Sequence, residues 1–176
     1  MPFLLHRMPF PSKPGEVVVR GERVKIRGDQ IIVWVSLSVE SVNAQRPATA
    51  PFPAILDTGH THSFAISERH LTGWAGLRLE SLAVLTAVRD RGQKLFLREA
   101  NIWIHPNKPG QRDRLADRPP HWLEASAGVA VYPGADFPRL PLLGLRAVAE
   151  NGLVLTVDGP KRQATLRTPA RWWPFG

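Results

Sequence analysis

Cysteine is absent from the sequence. Disulfides and thiolate metal sites are therefore excluded, and the absence suits a reducing compartment. No apolar run reaches the roughly 18 residues that a membrane-spanning helix needs. The opening ten residues carry apolar side chains, but His6 and Arg7 interrupt them and Pro9 and Pro11 follow. They offer neither the unbroken apolar stretch nor the small-residue cleavage site of a signal peptide, so a cytoplasmic location is expected and no membrane partner is. Runs of five or six basic residues are also missing. The formal charge is +8, yet the arginines are scattered, which reads as a solvated surface; nucleic acid is an unfavoured partner. No Gly-x-Ser-x-Gly is present to make a nucleophile of Ser63 or Ser67 beside the nearby histidines.

The 176 residues are 43% hydrophobic and 22% charged, a composition that supports one ordinary globular domain with its own core. Residues 1–14 hold four prolines and no period and read as an irregular arm. Residues 16–20 and 23–27 flank Gly21 and predict a hairpin. Ile31, Val33, Val35, Leu37 and Val39 alternate strictly, which predicts a half-buried strand. Residues 43–53 are a polar, proline-rich connection, and residues 66–71 allow a helical turn with Ser63 or Ser67 as its cap. Two apolar segments, 77–88 and 94–104, flank Arg89-Asp90-Arg91-Gly92-Gln93, where Gly92 permits a hairpin tip. Residues 106–121, rich in proline and charge, read as a loop insertion. A short strand over 128–132 precedes a short helix over 145–150, which Asn151-Gly152 closes. A last hairpin turns at Asp158-Gly159-Pro160, and residues 170–176 form an aromatic tail. Many short strands, many turns and one or two short helices predict an all-β domain over residues 15–169.

The chemistry concentrates at Asp57-Thr58-Gly59. There an Asp follows the apolar strand end Ala54-Ile55-Leu56, Gly59 allows a tight turn, and Thr58 offers a hydroxyl. By itself the tripeptide reads as a strand exit carrying a solvated Asp. Its surroundings give it more meaning. The stretch from Pro53 to Gly59, followed by Ser63-Phe64-Ala65-Ile66-Ser67, resembles the active-site strand and loop of single-domain, retropepsin-like aspartic proteases. Leu142-Leu143-Gly144, with the predicted helix after it, is similar to that family's apolar-apolar-Gly motif. Residues 153–158 match its closing strand. The order of these elements also agrees, over roughly residues 30–168.

The resemblance implies a closed acid-protease barrel and a homodimeric aspartic endopeptidase that needs no cofactor. Asp57 would be catalytic, supported by Thr58, Gly59 and His60, with residues 89–93 as a flap over a polypeptide substrate. Peptide hydrolysis of this kind uses two carboxylates that share one proton. The chain carries one Asp-Thr-Gly and no Asp-Ser-Gly, so Asp57 would meet its copy across a two-fold axis. The Trp172-Trp173 tail is a candidate for the dimer sheet. His60 stands where the family places Ala or Ser and is expected to alter substrate access or the local proton affinity.

Two alternatives remain: the same fold used without catalysis for dimerisation or peptide binding, and a basic nucleic-acid-binding β-domain. His60, His62 and His70 lack the cysteine or acidic cluster that would complete a metal site, and none is expected. Trp34, Trp74 and Trp103 lie in apolar segments and read as core.

Overall fold

A computed structural model describes residues 2–39, 49–90, 92–134 and 137–169. The chain begins with strands β1 (Phe3–Pro9), β2 (Gly15–Val19), β3 (Glu22–Ile26), β4 (Ile32–Ser38), β5 (Phe52–Asp57) and β6 (Phe64–Ser67), then helix α1 (Glu68–Gly73). After a single 3-10 turn come β7 (Val84–Asp90), β8 (Gln93–Arg98), β9 (Asn101–His105), β10 (His121–Trp122), β11 (Val129–Tyr132) and β12 (Leu142–Gly144). Helix α2 (Leu145–Glu150), β13 (Val154–Asp158) and β14 (Gln163–Arg167) complete it. The protein is mostly β-sheet with two short helices. No helix among the described residues is long and apolar enough to cross a membrane.

Nine strands form one sheet in the order β10-β9-β4-β5-β12-β6-β11-β8-β7. The order ends on two different edge strands, β10 and β7, so the expected closed barrel is not formed by the described residues. Two smaller sheets, β1-β14-β13 and β2-β3, accompany it. Side chains alternate across a strand, and in the middle of the large sheet the alternation separates two cores. Phe64, Ile66, Val129, Val131 and Leu143 join the main cluster. Their neighbours Ala65, Ala130, Tyr132 and Leu142 join a smaller one with Leu95 and Leu97.

The alternation in residues 31–39 does not make a half-buried strand. All seven residues of β4 are buried, because side chains pack against both of its faces, with the consecutive Ile32 and Val33 both in the main core. Its polar members are satisfied there. Ser36 Oγ lies 2.8 Å from His105 Nε2, and Ser38 Oγ accepts from Trp103 Nε1 at 3.1 Å. Trp34, Trp74 and Trp103 are buried.

Residues 3–9 are not an irregular arm. They form β1, which pairs antiparallel with β14, with irregularities between Phe3 and Met8. Leu4, Leu5 and Met8 enter the main core. The strand shows no alternation, since Leu4 and Leu5 are both buried and His6 and Arg7 follow, and Arg7 adopts a positive φ of 51° where the register shifts. The β2–β3 hairpin turns on Arg20 and Gly21, both at positive φ (51° and 79°), the two-residue geometry that matches strand twist. The Arg20 guanidinium reaches the Ala50 and Trp74 carbonyls at 2.8 and 3.0 Å, fastening this hairpin to the large sheet's loops.

Residues 106–120 run without a regular strand, but they are held down. Asn107 is fully buried. Its Oδ1 accepts from the His6 N–H at 2.8 Å, and its Nδ2 donates to the Lys108 and Gln111 carbonyls at 2.8 and 3.1 Å. Trp34 Nε1 donates to the Arg112 carbonyl at 2.8 Å. A buried amide replaced by a methyl group leaves its partners unsatisfied. Asn107→Ala is therefore expected to lower unfolding stability by about 1–3 kcal/mol, measured by urea denaturation.

Candidate functional site

β5 carries Asp57 at its last position. Its residues pair with β4 on one side, Ile32 opposite Ile55, and with β12 on the other. The second pairing is parallel, with Leu142, Leu143 and Gly144 beside Ile55, Leu56 and Asp57. β12 also pairs antiparallel with β6, Leu143 beside Phe64. The strand that enters the Asp-Thr-Gly turn and the strand that leaves it therefore flank Leu142-Leu143-Gly144. The connecting loop, residues 58–63, has to cross the end of β12. Two motifs separated by more than eighty positions in sequence become one structure.

Gly144 is the residue this crossing requires. A Cβ built there would lie 2.0 Å from the His62 carbonyl oxygen and 2.9 Å from that of His60. Both are backbone atoms, so no side-chain motion relieves the contact. The backbone uses the space for a hydrogen bond: Gly144 N–H donates to the Ser63 carbonyl at 3.0 Å. The φ of Gly144 is −79°, so close approach and not conformation demands the glycine.

The turn holds its own carboxylate. Gly59 N–H donates to Asp57 Oδ1 at 2.9 Å, and His60 N–H donates to the Asp57 carbonyl at 3.3 Å. Asp57 is half-buried, while Thr58 and Gly59 are exposed. They line a cleft of about 700 Å³ together with His60. Its apolar wall comes from Ile55, Leu140, Leu142 and Phe137. Its other wall comes from the β2–β3 hairpin and the turn after it, through Lys25, Arg27, Asp29 and Gln30. Arg139 completes the rim.

The expected flap is a hairpin. β7 and β8 pair out to Asp90 opposite Gln93, and Gly92 has a φ of 76°. Arg91 lies outside the described residues. Asp90 accepts a hydrogen bond from the Tyr132 hydroxyl, which ties the end of the hairpin to β11. Neither Arg89, Asp90, Gly92 nor Gln93 lines the Asp57 cleft; the hairpin sits at the β7 edge of the sheet. The aromatic tail lies outside the described residues too.

The histidines separate into two groups. The His60 and His62 rings meet edge to face at 5.3 Å. His70 is elsewhere, buried in α1, stacked on Trp74 at 3.9 Å and bonded through Nδ1 to Ser67 Oγ at 2.9 Å. Ser67, not Ser63, is the cap of α1. No group of three or more metal-ligating side chains occurs among the described residues.

The rim residues Lys25, Arg27 and Arg139 were not among the sequence-based candidates. Lys25 and Arg27 alternate with Val24 and Ile26, which places both on one face, but nothing in that pattern says what the face looks onto.

Burial pushes His70 down to about 4, with Arg69 adding to the effect and Glu22 opposing it; burial alone pushes His105 down to about 4. The unfolded chain takes up these protons near the ordinary value of 6.5. Between about pH 6.5 and 4 it therefore binds protons that the fold refuses. Stability should be full above that window, fall as pH drops through it, and level off below. Urea midpoints across pH 4–7 measure this, and His70→Gln should flatten the slope.

The Gly144 contact generates a sharper test. Gly144→Ala should cost at least about 3 kcal/mol, the upper end for overpacking against a rigid neighbour. Gly159→Ala, with open space around it, should change stability by less than about 0.5 kcal/mol. Thermal unfolding of the two variants side by side measures the difference.

No family model matches the chain, no curated protein matches it, and no solved structure matches it.

Proposed function

We propose that the chain is one half of a retropepsin-like aspartic endopeptidase. In this reading two Asp57 carboxylates, one from each subunit of a homodimer, activate a water for attack on a peptide bond. The observation that carries it is the insertion of Leu142-Leu143-Gly144 between the strands entering and leaving the Asp57-Thr58-Gly59 turn. That insertion presents the Asp57 carboxylate at an open cleft large enough for an extended chain segment. An ordinary strand exit would need neither the second motif nor the cleft.

The chemistry follows from pairing. Two carboxylates in contact cannot both ionise, so the pair holds one proton and titrates as a unit. The ionised member acts as general base on the water, and the protonated member polarises the scissile carbonyl. Gly59 N–H, already bonded to Asp57 Oδ1, orients the carboxylate without a bulky neighbour. Ile55, Leu142 and Phe137 offer apolar surface to substrate side chains. The β7–β8 hairpin would have to be supplied to the cleft by the partner or by movement, since it does not line the cleft of its own chain.

A second reading is the same dimer without turnover, used to bind peptides. His60 favours it, because an imidazole occupies the cleft beside the turn where the resembling family has a small residue.

Cleavage of an unfolded protein between mildly acidic and neutral pH, with sedimentation of the same sample, tests both. The endopeptidase reading expects a dimer, cleavage by the wild type and at least about a thousandfold loss in Asp57→Asn, since the carboxylate pair supplies both the base and the acid of the reaction. Full activity of that variant defeats the endopeptidase. A dimer that binds peptides and cleaves none across the pH range selects the second reading, and a monomer at high concentration defeats both.

A further inference from the structure

We infer that the Asp57 cleft is selective for acidic polypeptide segments, with Lys25, Arg27 and Arg139 as the selecting residues. The inference rests on the reading of that cleft as a peptide site, and adds the substrate class. All three side chains line the cleft and all three residues are exposed. Among the described residues none of the three has a carboxylate partner, whereas Arg23, Arg69, Arg112, Arg146, Lys161 and Arg162 each do. The cleft's carboxylates compensate them only in part. Asp29 is ion-paired with Arg162, which leaves Asp57 as one carboxylate against three cations among the residues lining the cleft.

Three unpaired cations on the walls of one concave site focus a positive potential into it. Their placement differs from the scattered charge of the remaining surface. Lys25 and Arg27 come from one face of the β2–β3 hairpin's second strand and its exit, and Arg139 comes from the segment just before β12. Cations therefore stand on two separate segments, with the apolar wall and Asp57 lining the same cleft. An extended segment lying in the cleft would place alternate side chains towards its walls. Glutamates or aspartates flanking an apolar pair fit this arrangement.

Nucleic acid fits less well. Single strands are held by aromatic stacking platforms along a basic groove, and the two rings among the residues lining this cleft, His60 and Phe137, already pack against His62 and Tyr132. A phosphate at every nucleotide would also be brought against Asp57.

The test uses the full chain and two fluorescein-labelled peptides. One carries glutamates on both sides of an apolar pair; the other has glutamine in their place. Binding to the Asp57→Asn chain is followed by anisotropy, and cleavage by the wild type is followed separately. At low ionic strength the acidic peptide should bind about tenfold tighter, the sum of three modest exposed ion pairs. The preference should shrink at about 0.5 M salt, where charges a few ångströms apart are screened. Reversal at Lys25→Glu, Arg27→Glu and Arg139→Glu together should abolish or invert it. A charge-matched control at exposed residues outside the cleft lining, Arg78→Glu, Lys94→Glu and Lys108→Glu, should keep it.

Equal affinity for the two peptides, failure of either to bind, or equal loss in both triple variants overturns the inference. So does displacement of the acidic peptide by oligothymidylate at lower concentration than by unlabelled peptide, which assigns the cleft to nucleic acid. Selective binding without cleavage by the wild type removes the endopeptidase and leaves this inference standing.

Discussion

The approach of the His62 carbonyl to the Gly144 α-carbon governs the candidate site. β12 can lie between β5 and β6 only if the loop joining those two strands passes over its end. The loop passes so closely that the position of a methyl group is already taken by a backbone oxygen. The same approach lets Gly144 N–H satisfy the Ser63 carbonyl, so a buried backbone group is paired by the very contact that excludes a side chain. Asp57, opposite Gly144 in the parallel pairing, is therefore held by main-chain geometry. Its carboxylate is positioned from two directions, by the strand ladder behind it and the Gly59 N–H in front of it.

Burial around this point explains why the sheet tolerates so many short strands. β6, β11 and β12 have three or four residues each and would be marginal as isolated pairs. Here each is buried on both faces, one side in the main core and the other in the smaller cluster of Tyr132, Leu95 and Leu97. Parallel pairing of β6 with β11 and of β5 with β12 occurs only in this two-sided interior, as expected for parallel ladders. At the β7 edge, where both faces are open, Val84 and Leu85 stay exposed and the chain reverts to plain antiparallel pairing.

Local signals in the sequence led to the parts that depend on local chemistry. Gly21, Gly92 and Gly152 stand at positive φ where turns were expected, and Ser67 and Asn151 sit at the helix ends. What depends on long-range packing was not legible. β1 was missed because His6 and Arg7 break its apolar pattern, although Asn107, a hundred residues on, bonds the His6 backbone. In β4 the alternation describes one face, whereas all seven of its residues are covered. The candidate site divides in the same way. Asp57-Thr58-Gly59 and Leu142-Leu143-Gly144 were visible as motifs, but the basic rim depended on a hairpin and a distant loop converging, which no spacing records.

The buried histidines limit what the proposed chemistry can use. A carboxylate pair that shares a proton is favoured by acid, since the proton must be retained. The fold pulls the other way: His70, stacked on Trp74 behind the capping Ser67, and His105, bonded to Ser36 inside β4's sheet, both resist protonation. Acid that favours the pair also draws the unfolded chain's histidines into their charged form. A site of this kind on this scaffold has to retain its shared proton through carboxylate–carboxylate repulsion rather than through low pH. In the proposed dimer that would place the burden on how closely the two Asp57 turns approach, and each turn is placed by the close contact at Gly144.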